Sequence, residues 1–255
     1  MKSVDIDKIA RFVEDNIGRF HESRLRTLQS IDLRKVLTRK NPYLFRAKNV
    51  EVASELVTGV LDAYLSSSEE GIFGNFLESL AQFVVSETFR GDKSSTAAMD
   101  IDFRRDDVRY IVSVKSGKNW GNSTQHKRLE EDFRKALKVV KQLKGSRRVD
   151  AVLGICYGKP ETTITDKGYT RIVGQHFWEF ISAKETLYTD IIEPLGVKAK
   201  EHNQHFLSER ARIINIFTRQ FTEDFCDDGR INWKRLVEFN SGPLKMPRRK
   251  TSRRK

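Results

Sequence analysis

Cysteine and long apolar runs are both scarce in this sequence, and each scarcity removes a class of protein. Only Cys156 and Cys226 occur among 255 residues. Neither sits in a metal-ligand spacing, so a disulfide framework and a zinc site are not expected, and a reducing cytoplasm is. The opening run MKSVDIDKIARF carries acids in its first turns and no long apolar stretch. Neither a signal peptide nor a membrane anchor is expected. Asp and Glu number 35 against 47 Lys and Arg, a formal net charge of +12. Such an excess suggests a polyanionic partner, because clustered cations release counterions from a phosphate backbone. A merely basic soluble protein is the alternative that composition leaves open. Apolar residues make up 38% of the chain, enough for a true core, which excludes general disorder.

Helical periodicity dominates the first third of the chain. Asp5 or Asp7 can cap a helix whose apolar positions Ile9, Phe12, Val13, Ile17 and Phe20 share a face. A second helix is expected over residues 23–39, stopping before Asn41-Pro42, and a third over 50–64. Ser66 to Glu70 reads as a connection leading into a fourth helix at 72–89. After Gly91 the pattern changes to two short β runs, 97–103 and 108–114, joined by Arg104-Arg105-Asp106-Asp107 as a hairpin. A loop at 117–122, a helix from Ser123 to about Leu143 and a doubly buried strand within RVDAVLGICY follow. Residues 158–169 read as loop, and helices are expected at 175–182, 199–223 and 231–239. Trp178 reads as a core residue. The basic tail 245–255 is expected to be disordered. The sum is an α/β or α+β protein with a helical N-terminal region (1–65), a main domain with C-terminal helices (66–244) and the tail.

The hairpin is where the sequence points to chemistry. Asp100 and Asp102 lie two apart on a strand and so share a face, as do Ser113 and Lys115 on the next strand. Antiparallel pairing brings Asp100 near the Ser113–Lys115 face. Carboxylates at such a point can hold a hard cation such as Mg²⁺, and a nearby ammonium can orient water or stabilise charge on a phosphoryl group. The plainer alternative is two strand acids and a snorkelling Lys on a solvated face.

The run AMDIDFRRDDVRYIVSVKSG resembles the core hairpin of the PD-(D/E)XK nuclease superfamily. The resemblance continues in SSSEEGIFGNFLESLA, VSVKSGKNWGNSTQ and GQHFWEFIS, which are similar to segments of type II restriction endonucleases, the PmeII family among them. It spans roughly residues 40–185 and implies a restriction-endonuclease-like mixed sheet flanked by helices. It also implies that Asp100 is the metal-binding Asp, that Lys115 is the catalytic Lys, and that Glu78 matches a Glu supplied by the preceding helix. Where the family places a second acid, this sequence has Ser113, a neutral and weak ligand; Glu78 or Asp102 would then complete the coordination. The activity implied is Mg²⁺-dependent cleavage of double-stranded DNA by a homodimer at a GC-rich interrupted palindrome, leaving 5′-phosphates. A cognate DNA methyltransferase would protect the host without a stable complex. A repair-type nuclease of this fold, or a noncatalytic DNA-binding protein, are the alternatives, the latter because of Ser113.

After Lys115 the loop offers Lys118, Asn119, Trp120, Asn122, Thr124, Gln125 and Lys127 as DNA contacts. Asn and Gln can read adenine edges and Lys can meet guanine or phosphate. The same Asn and Gly content also suits an ordinary turn, and Trp120 can equally serve as a local lid. His126, His176, His202 and His205 form no recognised metal set and read as solvated surface.

Overall fold

The computed structural model describes residues 4–94, 98–142 and 148–243. It resolves into two compact units that are each discontinuous in sequence: Met1–Ser23 with Glu69–Asn203, and Arg24–Ser68 with Gln204–Lys255. The linear boundaries expected from the sequence, after residues 65 and 244, do not coincide with these. The reason is that the long helices α1 (Ile6–Gln29), α4 (Ala53–Phe89) and α9 (Ala199–Phe225) each carry residues of both units. The tail 245–255 lies outside the described residues.

The first unit is built on a six-stranded sheet of order β1-β2-β3-β4-β6-β5. Its strands are β1 (Asp92–Lys93), β2 (Ile101–Arg105), β3 (Val108–Lys115), β4 (Arg148–Ile155), β5 (Glu161–Ile164) and β6 (Thr170–Val173). β3 pairs parallel with β4 and β4 with β6; the other pairs are antiparallel. Asp106 and Asp107 both hold positive φ, 49° and 60°, so the β2–β3 hairpin closes through a two-residue turn whose twist matches the strands. Alternation then sends side chains to two cores. Ile101, Phe103, Val112, Val114 and Val152 pack with Val13 of α1, Leu80 and Val84 of α4, and Phe177 and Trp178 of α6 (Gln175–Ser182). Ile111, Ala151, Leu153 and Ile155 pack instead with Leu129, Phe133 and Val140 of α5 (Ser123–Gln142). Both faces of β3 and β4 are therefore covered, which is why RVDAVLGICY reads as a nearly unbroken apolar run. At Gly154 an added Cβ would come within 2.1 Å of the Phe177 ring, so only glycine lets α6 lie this close. Two four-residue helices, α7 (Leu187–Asp190) and α8 (Ile192–Leu195), follow α6.

The second unit is helical, with α2 (Leu33–Leu37), α3 (Pro42–Ala47) and α10 (Trp233–Ser241) around its portions of the long helices. Leu28, Val36, Leu56, Leu61, Phe221 and Leu236 form its core. A small hairpin, β7 (Cys226–Asp227) with β8 (Arg230–Ile231), precedes α10. Asp32 and Asn41 accept backbone N–H groups at the starts of α2 and α3, and Pro42 occupies the first turn of α3.

Three local expectations are corrected. The helix expected over 23–39 is divided, because α1 runs on to Gln29 and α2 starts afresh under the Asp32 cap. The Ser66–Glu70 connection is helical, an interior stretch of the 37-residue α4. Ser67 turns its hydroxyl back onto the Ala63 carbonyl (3.0 Å), and Ser and Glu are mild enough in helix cost to be carried through. Residues 161–164 and 170–173, placed in and beside a loop, form the edge pair β5–β6. β5 is a half-exposed edge strand, and β6 buries only Ile172 and Val173 of its four residues, too few to leave an apolar run.

Candidate active site

Asp100 immediately precedes β2, and its N–H donates at 2.8 Å to the carbonyl of Val112, the residue that already pairs with Ile101. This holds Asp100 beside the end of β3. One carboxylate oxygen, Oδ2, accepts the Val114 N–H at 2.6 Å and the Ser113 hydroxyl at 3.2 Å. Ser113 itself is only 1% exposed. The carboxylate is thus locked by two donors on one oxygen.

Lys115 closes β3. Its carbonyl accepts the Cys156 N–H at 2.9 Å, and its ammonium donates to the Val114 carbonyl at 3.0 Å and lies 5.4 Å from the Trp120 ring centroid. Glu78 arrives from α4 and is half-buried. One turn later, the Gln82 amide donates both to Glu78 Oε1 and to the Asp100 carbonyl, each at 3.2 Å, tying the helix to the start of β2. Burial raises the Glu78 carboxyl above its usual range and the charge of Asp100 raises it further; Lys115, Lys93 and Gln82 pull it back. Two acids and one ammonium therefore sense one another here, and Glu78 and Lys115 line a cavity of about 510 Å³. Burial pushes the nearby Cys156 thiol upward too, which leaves it unreactive at neutral pH.

Asp102 goes elsewhere. Its carboxylate is gripped by Arg109 Nε at 2.9 Å and Nη2 at 2.7 Å, with the side chains 14% and 16% exposed. Asp102 therefore already has a cationic partner.

The loop residues separate into two groups. Asn122 and Gln125 exchange backbone and side-chain bonds, Asn122 N–H to Gln125 Oε1 at 2.9 Å and Gln125 N–H to Asn122 Oδ1 at 3.0 Å. This is a capping box that starts α5, and it occupies both side-chain oxygens. Lys118 pairs with Glu161 at 3.0 Å, and Trp120 packs on His126 and against the α5-side core. Asn119 lines the cavity, while Thr124 and Lys127 are exposed. His202 stacks on His21, and His176 Nδ1 lies 3.1 Å from Thr162 Oγ1.

Sequence reasoning missed Gln82, Arg109 and Tyr157. Gln82 had a usable signal, since it stands one helical turn after Glu78. Tyr157 follows the buried strand and projects half-exposed into the cavity, where its hydroxyl lies 3.5 Å from Glu70. At Gly117 an added Cβ would come within 2.4 Å of the Tyr157 ring, so the glycine makes room for that ring.

Among the described residues no group of three or more His, Cys, Asp or Glu side chains is arranged to hold a metal ion. Two hard oxygen donors, Glu78 and Asp100, nevertheless suit Mg²⁺, which binds through one or two carboxylates and completes its shell with water and phosphate oxygens. Their mutual repulsion, visible in the raised Glu78, is what a cation between them would relieve.

A mixed sheet that carries Asp100 and Lys115 at the open end of one hairpin, with a helical Glu beside them, is the arrangement that resemblance to the PD-(D/E)XK nuclease class implies. Within that class, the chain matches the family of type II restriction endonuclease EcoO109I over residues 7–203 and belongs to that family. The restriction-endonuclease resemblance is thereby shown, with EcoO109I as the family named where the sequence segments had suggested PmeII. A search of individual curated proteins gives no match. Among the described residues no helix is long and apolar enough to cross a membrane.

Proposed function

We propose that the protein is a Mg²⁺-dependent endonuclease that hydrolyses double-stranded DNA at a specific short palindromic site, leaving 5′-phosphates. The observation that carries this reading is the influence of Asp100 and Lys115 on Glu78, with Glu78 and Lys115 lining one cavity. Glu78 and Asp100 would hold the cation, which when bound supplies charge neutralisation at the scissile phosphate and a more acidic water. Ser113 and the Val114 N–H aim the Asp100 carboxylate. Lys115, anchored on the Val114 carbonyl, orients the attacking water and meets the charge that grows on the phosphoryl oxygens. The exposed Thr124 and Lys127, with Lys118 and Asn119, contact the DNA backbone. Asn122, Gln125 and Trp120 first of all shape that loop.

Cutting both strands of a palindrome calls for two sites related by a two-fold axis, hence a homodimer. A cognate methyltransferase in the same cytoplasm would mark host sites. The test is incubation with unmethylated phage DNA and Mg²⁺ beside a Lys115→Ala variant. Discrete fragments that the variant does not produce are expected; a smear, or equal cutting by both, overturns the proposal. Ser113 motivates one other reading, a noncatalytic DNA-binding protein, for which binding would be independent of Mg²⁺ and the DNA would stay intact.

A further inference from the structure

A second cavity, of about 540 Å³, lies between α1 and α4 within the sheet-bearing unit. Asn75 lines both this groove and the cavity that holds Lys115, and Gln82, which bridges Glu78 and the Asp100 carbonyl, is part of the groove wall. The groove therefore leads directly away from the two acids. Its floor is aromatic, closed by the stack of Phe12 on Phe83 at 4.2 Å. Arg19 from α1 and Lys93 from β1 line it, and among the described residues no Asp or Glu does. Both cations are exposed, and neither forms a salt bridge with a carboxylate among the described residues.

This contrasts with the cavity beside Lys115, whose lining includes Glu70 and Glu78. An anion is repelled there unless a cation is bound, whereas the groove attracts it unaided. We infer that the groove is a backbone-binding channel in which Arg19 and Lys93 each neutralise a phosphate of the cut strand, to one side of the bond to be broken. The inference rests on the nuclease reading for which strand is held, but the binding it describes does not require cleavage. Phosphate contacts of this kind fix the register of the duplex over the reactive groups and carry no sequence information.

The test uses the full chain and a DNA duplex, with binding measured against salt concentration in Ca²⁺, and cleavage measured separately in Mg²⁺. Each phosphate contact contributes about 0.9 to the slope of log K against log salt. An Arg19→Ala, Lys93→Ala double variant should therefore lose roughly 1.8 from the slope, and the charge-preserving Arg19→Lys, Lys93→Arg pair should retain it. Arg134→Ala with Lys138→Ala, two exposed cations of α5, serves as the control and should leave the slope unchanged. A groove variant with the wild-type slope, or equal losses from both pairs, overturns the inference. A reduced slope in a protein that never cuts DNA retains the groove and removes the nuclease reading instead.

Discussion

Two acids at the head of the β2–β3 hairpin, two residues apart, have opposite fates. Asp102, inside β2, is paired bidentately with Arg109, and both are largely shielded. Asp100, just before β2, is held among the described residues by neutral donors, and a second carboxylate, Glu78, already raised by burial, is raised further by the charge of Asp100. Asp102 serves the fold. Among the described residues Asp100 and Glu78 have no bidentate cationic partner, an arrangement tolerated where a ligand will supply charge. Breaking each in turn should separate chemistry from architecture.

The largest effect belongs to Lys115. Lys115→Ala removes the ammonium that lines the cavity with Glu78 and should lower the single-turnover cleavage rate by about 10³-fold or more, while the fold and DNA binding survive. Gel assay of plasmid cutting at saturating Mg²⁺ checks the first part and a binding titration in Ca²⁺ the second. A residual rate within tenfold of wild type would place the reactive ammonium elsewhere.

Glu78→Gln comes next, and its signature is a divergence of activity from stability. The folded-state pKa of Glu78 lies above its ordinary value. The wild type is then unpenalised below the ordinary carboxylate range and loses stability as pH rises through the folded pKa, because the ionised form is disfavoured in the fold. The variant escapes that loss. Its Tm in metal-free buffer should exceed that of wild type at neutral pH and converge with it at about pH 4, while cleavage falls by about 10²-fold or more. Added Mg²⁺ should raise the wild-type Tm more than that of the variant. Equal stabilisation of both proteins by Mg²⁺ removes Glu78 from the metal site.

At Asp102 the order is reversed. Asp102→Asn leaves the Arg109 guanidinium without its anionic partner in a shielded place and should cost roughly 1.5–3 kcal/mol, read from urea denaturation. Cleavage at a temperature where the variant remains folded should change less than threefold. Loss of activity without loss of stability would return Asp102 to the metal site.

How far the sequence carried the argument follows from the same contrast. Period-two alternation and the position of the charges located the hairpin, and β3 and β4 were legible because burial on both faces writes a continuous apolar run. The Asp102–Arg109 pair was not legible, since two exposed-looking charges seven residues apart announce a partnership only once the strand register is known. Asn122 and Gln125 fit both base readers and a capping box, and the choice needs backbone directions. The division into two units was hidden for another reason: a 37-residue helix crosses a serine- and glutamate-rich stretch that in isolation reads as a break.

Ser113 provides the smallest and most discriminating change. Its hydroxyl contributes the longer of the two bonds to Asp100 Oδ2, 3.2 Å against 2.6 Å for the Val114 N–H. If its task is to aim that carboxylate, Ser113→Ala leaves the stronger donor in place. The expected cost is about 1 kcal/mol, a reduction in cleavage rate of less than about tenfold with an unchanged Mg²⁺ concentration dependence. If the hydroxyl instead replaces the family's second acid as a ligand, the Mg²⁺ requirement should rise while the rate at saturating metal recovers. A Mg²⁺ titration of the cleavage rate distinguishes the two. The first outcome is expected, because a 1% exposed side chain already bonded to the neighbouring carboxylate has its hydrogen directed at Asp100, and any cation would have to share that oxygen.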